Sequence, residues 1–435
     1  MKKTIGLFVL IFFTSISSWS QLDLLTLQDA IRIGLEKNYA ILIAENNQAA
    51  NKYARNIGNA GMLPTISLNG GASYSNNSLR QDLSNGTTIN STGVVSTNYN
   101  LTAQLNWTLF DGLKMFATFD RLTALKNQSE YRTRFEMENL VSKVMQSYFD
   151  IVKNKQIYLS ILESISIGEE RLTIAEKKFN IGSGSKTELL QAKIDLNTLR
   201  TQLYSQQILI NESKINLNQL LARDPAITFD VEDTIPLGNL LDLANIRKEY
   251  LTTNSQVQIS SFDISINKMA RREVNGLKMP RLVFNASYGF SRAQNQAGFT
   301  LLNQNLGFNT GISLTYNIFD SWRVNTQYKL ASYNLQNATQ NFELIKLQTD
   351  GQIVNAYSKY TAYLDQSNLQ KDNVSMAREN ADLSLERFKQ GLANFLELRE
   401  AQRSYVDAVT AYVTAQYNAK IQEVELLRLK GELIK

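Results

Sequence analysis

Four stretches of the chain alternate apolar and polar residues with a period of two. In the first, Ile66, Leu68, Ala72 and Tyr74 oppose Thr65, Ser67, Asn69, Ser73 and Ser75. In the second, Leu101, Ala103, Leu105, Trp107 and Leu109 oppose Asn100, Thr102, Gln104, Asn106 and Thr108. The third sets Leu282, Phe284, Ala286, Tyr288 and Phe290 against Asn285, Ser287, Gly289 and Ser291; the fourth sets Phe308, Ile312, Leu314, Tyr316 and Ile318 against Asn309, Gly311, Ser313, Thr315 and Asn317. This period predicts strands, of about 9–11 residues if they cross a bilayer. Their polar faces carry Ser, Thr and Asn, and Arg281 is the exception to their lack of charge. A soluble sandwich shows charge on its exposed face, whereas an apolar face backed by an uncharged polar one suits a barrel with lipid outside and water inside. Tyr74, Trp107, Tyr288, Tyr316, Phe319 and Trp322 near the strand ends suit interfacial aromatic belts. Segments 76–98 and 292–305, rich in Asn, Ser, Gln, Thr and Gly, read as exposed loops.

Four strands do not close a barrel, and an open edge in lipid leaves backbone N–H and C=O groups unpaired at several kcal/mol each. Barrels begin at about eight strands. The chain is therefore expected to oligomerise, with two copies giving a narrow, filled barrel and three a wider one able to conduct.

Between the strand pairs the period changes. From Leu113 to Asn180 there is no Pro and Gly168 is the single Gly, so a helix approaching ~100 Å is expected. Tyr148, Ile151, Lys155, Tyr158, Leu162 and Ile165 step by three and four, as do Leu196, Leu199 and Leu203, and later Leu398, Ala401, Tyr405, Ala408, Tyr412 and Ala415. These are heptad seams, softened in the first half by Gln206 and Ser213. Pro64 and Pro280 mark helix-to-strand crossings. Asp111 and Asp320 follow the second and fourth strands, placed to cap the long helices. The turns at Gly182-Ser183-Gly184 and Gly391-Leu392 join paired helices, Gly supplying the left-handed terminating residue. Each turn is followed by a pair spaced by three on one helix face: Glu188 and Gln191, then Glu397 and Glu400. Such a pair lies either on a solvated face or, in an oligomer with that face toward a central axis, in a cation-favouring ring. The fold class expected is mainly α with a small β part: coiled-coil-like helical hairpins plus four transmembrane strands.

The plan is written twice. Asp111 and Asp320 stand 209 residues apart, as do Phe179 and Phe388, while Pro64 and Pro280 stand 216 apart. A unit this long is a duplicated half, not a solenoid repeat. The division expected is residues 1–20 as a secretory signal, 21–226 as the first repeat and 227–435 as the second. Lys2 and Lys3, the apolar stretch from Ile5 to Ile16, and Ser18 and Ser20 carry the signal.

Composition narrows the chemistry. Among 435 residues there is no Cys and no His, which excludes disulfides and thiolate sites and removes the commonest metal ligand and general base. No metal, cofactor or catalytic residue is expected, and no Gly-x-x-x-x-Gly-Lys-Ser/Thr phosphate loop is present. The net charge of +5 is small and dispersed, a solvated surface rather than a nucleic-acid footprint.

The doubled junctions Leu109-Phe110-Asp111-Gly112 and Ile318-Phe319-Asp320, the doubled tips at Phe179-Asn180-Ile181-Gly182 and Phe388-Lys389-Gln390-Gly391, and the run through Glu397, Leu398, Glu400, Ala401 and Tyr405 resemble the TolC-like outer membrane efflux proteins. The resemblance spans Leu27 to about Leu433. It implies a homotrimer with a twelve-stranded barrel in outer-membrane lipid and a periplasmic helical tunnel, serving as the passive exit of a tripartite efflux or type I secretion system. Its implied partners are a periplasmic adaptor and an inner-membrane pump, with the adaptor docking on Gly182, Ser183, Gly184, Ser185, Gly391, Leu392, Ala393 and Asn394. Glu397 and Glu400, with Glu188 and Gln191, match the acidic tunnel end, and Phe388 and Phe179 its packing. Where the family has a Tyr before the second tip and a basic residue after its Gly, this chain has Phe388 and Ala393, which leaves closure to charge rings and packing. The competing reading is a secreted or surface-attached coiled-coil stalk of adhesive or structural kind; detergent dependence discriminates the two.

Overall fold

The structure, a computed structural model, describes residues 24–238 and 241–434; the expected signal at 1–20 lies outside the described residues. In chain order the elements are β1 (Leu24–Leu25), α1 (Leu27–Lys37), α2 (Tyr39–Ala54), β2 (Thr65–Asp82), β3 (Thr88–Phe110), α3 (Lys114–Asn180), α4 (Lys186–Leu220), β4 (Asp230–Val231), α5 (Leu243–Thr253), α6 (Ser255–Gly276), β5 (Arg281–Asn295), β6 (Leu302–Thr315), α7 (Arg323–Lys389) and α8 (Phe395–Lys430). The fold is mainly helical with a small β part. Two compact units cut across the halves of the chain: one takes residues 24–38, 140–238 and 357–425, the other 39–139, 241–356 and 426–434.

The second unit holds the four-stranded antiparallel sheet, in the order β2-β3-β5-β6. Its register aligns like with like. Leu68, Ala103, Tyr288 and Phe308 form one row across the sheet, and Gly70, Leu101, Phe290 and Leu306 another. Between them runs a row of Asn69, Thr102, Gly289 and Gly307. One face is thus continuously apolar, and it is open: Ile66, Leu68, Leu306, Phe308, Ile312 and Leu314 are each 60% exposed or more. An apolar surface of this extent marks an interaction face, not a water-exposed one. β2 and β6 each have one paired side only.

The strands, at 18, 23, 15 and 14 residues, are longer than the 9–11 expected. Segments 76–98 and 292–305 are correspondingly not loops: β2 and β3 stay paired through Asp82–Thr88, and β5 and β6 through Gln294–Leu302. Backbone pairing needs no apolar side chains, so the hairpins continue as Ser-, Thr- and Asn-rich ribbons, with a register shift between Asn77 and Leu79 and Gly93 at φ 74°. The true turns are 83–87 and 296–301. The fourth strand is shorter than its alternation suggested. It ends at Thr315, opposite Arg281, because the partner strand begins after Pro280, which has no N–H to offer.

The helix before each hairpin, expected as one, is two. Asn38 and Asn254 are extended, at ψ 127° and 121°. Each side-chain amide donates to the last turn of a long helix, Asn38 to Leu220 O at 2.8 Å and Asn254 to Leu429 O at 2.8 Å. Each thus satisfies a carbonyl orphaned at a helix end. At the strand-to-helix junctions, both carboxylate oxygens of Asp111 lie 3.1 Å from Met115 N, and Asp320 Oδ2 lies 2.9 Å from Val324 N. Gly112 and Leu113 (φ 73° and 67°), and Ser321 and Trp322 (φ 59° and 60°), make each junction a pair of consecutive left-handed residues. For the non-glycines this costs about 1–2 kcal/mol apiece.

Candidate functional site

The first unit holds the two helical tips. α3 ends at Asn180 and α4 begins at Lys186; α7 ends at Lys389 and α8 begins at Phe395. Gly182 and Gly391 sit at φ 77° and 75°, a conformation glycine adopts without a Cβ penalty. Ser183 N and Leu392 N each reach back five residues, to Lys178 O at 2.9 Å and Arg387 O at 2.8 Å, closing the helix ends. The following helices start on equivalent caps: Ser185 accepts from Glu188 N at 3.1 Å and Asn394 from Glu397 N at 2.9 Å.

The side chains differ between the tips. Phe388 is buried in a cluster with Ala175, Ala192, Leu385, Ala393, Phe395 and Leu398, and Lys178 Nζ lies 4.9 Å from its ring centre. Phe179, its counterpart, is exposed, as are Ile181, Leu392 and Leu396. Glu397 pairs with Arg387 at 3.2 Å. Lys389 pairs with Glu170 at 2.8 Å and Glu386 at 2.9 Å. Glu188 and Glu400 are exposed, and Gln191 donates to Asp195 Oδ1 at 2.9 Å.

Above the tips the seam departs from expectation. In α3, Leu162 is 45% exposed and Lys155 turns out to Asp230 and Asp233, both at 2.7 Å. The buried line instead runs through Ile157, Ile161, Ser164, Gly168, Arg171 and Ala175. It is still a three-four repeat, but Ile157 and Ile161 lie one residue before the expected Tyr158 and Leu162, while Ile165 is buried as expected. A helix of 3.6 residues per turn drifts against a 3.5 seam, so the register does not extrapolate from Tyr148 and Ile151. Gln206 and Ser213 are buried, Gln206 donating to Asn154 at 3.0 Å and Ser213 to Asp150 at 2.6 Å. In α8, Leu398, Ala401, Tyr405 and Ala415 are buried, while Val409 and Val413 take over from Ala408 and Tyr412.

Two polar clasps in this unit were not anticipated. Arg171, 1% exposed, bridges to Asp195 at 3.0 Å and Gln402 at 3.1 Å, with its guanidinium 4.6 Å from the Phe395 ring centre. Burial pulls the guanidinium below its ordinary value, and Asp195 pulls it back. Glu163 takes Arg378 at 2.8 Å and the Tyr405 hydroxyl at 2.7 Å. Burial, then the neighbouring Glu163 carboxylate, push the Tyr405 phenol up to about 12. A charge buried as deeply as that of Arg171 is expensive unless paired, and each clasp supplies a partner from a distant part of the chain. Among the described residues no group of acidic side chains is placed to hold a metal ion, and no helix is long and apolar enough to cross a membrane.

A sheet with one lipid-type face, two unpaired edges and paired helices of 35 to 67 residues defines the class of outer-membrane channel proteins. A sequence profile described as outer membrane efflux protein matches residues 30–223 and 273–432, and the chain belongs to that family. It is 22% identical over 388 residues to outer membrane protein TolC of Escherichia coli (strain K12), covering 86% of this chain and 75% of that protein. With outer membrane efflux protein BepC of Brucella suis biovar 1 (strain 1330) it shares 20% over 338 residues, covering 76% and 71%. Its fold matches the Campylobacter jejuni CmeC outer membrane channel with TM-score 0.80 at 17% identity, covering 94% of this chain and 86% of that one. The protein is an outer-membrane efflux channel, an exit duct.

Proposed function

We propose that three copies of the chain close one twelve-stranded barrel, and that the duct is the passive outer end of a tripartite efflux or type I secretion system. The observation that carries the reading is the sheet. It has an exposed apolar face and two edges paired on one side only, and lipid tolerates neither edge unless copies of the chain close the ring. Four strands per chain make three copies the number that leaves an aqueous lumen. The glycine tips, with exposed Ile181 and Leu392, are the surface on which a periplasmic adaptor docks, and an inner-membrane pump supplies the energy. Glu397 and Glu400, with Glu188, face the axis near the tips and narrow the closed tunnel as rings of like charge, and Gln191 adds a neutral polar ring beside them. Phe388 packing and the Glu163 and Arg171 clasps hold the helices there, in place of a tyrosine-based polar latch.

The test is conductance of the purified mature protein in planar bilayers, together with its mass in detergent. Three chains per particle and a small conductance that rises severalfold in Glu397→Ala/Glu400→Ala are expected. A monomer that stays soluble after detergent removal would favour the stalk reading and end this one.

A further inference from the structure

The polar face of the sheet is neutral along its length except at one end. Arg281, the first residue of β5, projects on the same side as Asn285, Ser287 and Thr108, and its side chain donates to the neutral Thr108 hydroxyl at 3.2 Å. This side chain borders a cavity of about 1010 Å³ that is also lined by Asp111, Lys114, Arg121 and Glu273. The charges there do not cancel locally. Arg121 is held by Glu273 at 2.7 Å, and Asp111, both oxygens turned onto Met115 N, is the one carboxylate left against Lys114 and Arg281, so the lining keeps one positive charge in excess. Lys114 and Arg281 remain, both exposed into the cavity and neither within ion-pair distance of a carboxylate among the described residues. The first half has Thr65 at the position of Arg281, so that cation occurs once per chain, whereas Lys114 has a basic counterpart in Arg323.

We propose that Lys114 and Arg281 form an anion-attracting subsite at the helix-facing end of the strand wall, one that favours carboxylate- and phosphate-bearing cargo. The inference rests on the duct reading, because the polar face must line the lumen. Three chains then place six cations around one aqueous bore, an excess of three positive charges once the three Asp111 carboxylates are counted. Low-dielectric walls focus the field of such a ring and raise the local concentration of the opposite charge. The subsite is opposite in sign to the acidic residues of the tips, so the duct sorts by charge at two separate places. A singly charged ion passes with a bias. A multivalent organic anion dwells, because it meets several cations at once.

The experiment uses full-length mature channels in planar bilayers, in the Glu397→Ala/Glu400→Ala background so that the tips do not set the selectivity. The reversal potential is read in a potassium chloride gradient, and current block is read with citrate as the probe. Relative to that background, Lys114→Gln/Arg281→Gln is expected to lower the chloride-to-potassium permeability ratio by about threefold or more, and citrate block by a similar factor. Lys114→Arg/Arg281→Lys, which keeps the charges, is expected to retain both. Channels of equal reversal potential and equal citrate block in all three would overturn the subsite while leaving the duct intact. Absence of any channel from the background variant would sink the duct reading, and the subsite with it.

Discussion

The two helical tips share a backbone and differ in what holds it. Each has a left-handed glycine, a five-residue back-bond and a capping Ser or Asn at the same repeat position. At the second tip Phe388 is buried, Glu397 is paired with Arg387, and Lys389 reaches Glu170. At the first, Phe179 is exposed, and Glu188 is exposed with no ion pair among the described residues. The two copies share the turn chemistry, and the cluster between them takes in the ring of the second tip, Phe388, together with Ala175 and Ala192 of the first hairpin, but not Phe179. The acidic pair expected to narrow the tunnel, Glu397 and Glu400, therefore stands on the tip whose aromatic ring is buried.

The largest expected break in this asymmetry is Phe388→Ala. Removing a buried ring costs about 3–5 kcal/mol, whereas Phe179→Ala on an exposed ring should stay within about 1 kcal/mol; urea unfolding followed by helical circular dichroism compares them. Equal losses would show that the first ring also packs, against another chain. Tyr405→Phe comes next, removing a hydrogen bond to a carboxylate worth roughly 1.5–3 kcal/mol. Its pH dependence has a definite sign. The phenol is held protonated in the fold up to about 12, against an ordinary 10. Its contribution is complete below pH 10 and is lost as pH rises toward 12. Alkaline titration of stability should therefore show a shallower fall over that window in the variant than in the parent.

Gly391→Val and Gly182→Val each force a β-branched residue to positive φ, at about 1–2 kcal/mol. A Cβ at either meets nothing within 4 Å, so the penalty is conformational, and trimers should persist while export falls. Normal export from both would argue against the tips as the docking surface. The smallest effect belongs to Arg387→Ala. Its pair with Glu397 is 55% and 39% exposed on the two sides, so the loss of stability should not exceed about 1 kcal/mol, yet freeing Glu397 should change the conductance.

Sequence alone revealed the elements with the strongest periods and the plainest punctuation. Alternation located all four strands, and the absence of Pro gave the long helices. What it missed follows from physics that side-chain pattern does not carry. Hairpin ladders run on through Ser and Asn because the backbone does the pairing, so the extensions beyond Ser75 and Phe290 looked like loops. The breaks at Asn38 and Asn254 depend on a carbonyl at the end of a distant helix that accepts from each side-chain amide. The drift of the α3 seam depends on which neighbours share its face. At the tips, the glycines and the acidic residues could be picked out by type and spacing, but the clasps of Arg171 and Glu163 join residues more than 200 apart in sequence. No local pattern announces such a pair.

The unpaired flanks of β2 and β6 have a genetic consequence. A chain able to fold its helices but unable to mate at one flank would still be recruited through the other, spoiling every assembly it enters. With equal expression of such an allele and the parent, about one assembly in eight would contain three sound chains, if mixing is random in a closed three-fold ring. Lesions along those two strands should therefore behave as dominant poisons, whereas lesions confined to a tip should remain recessive.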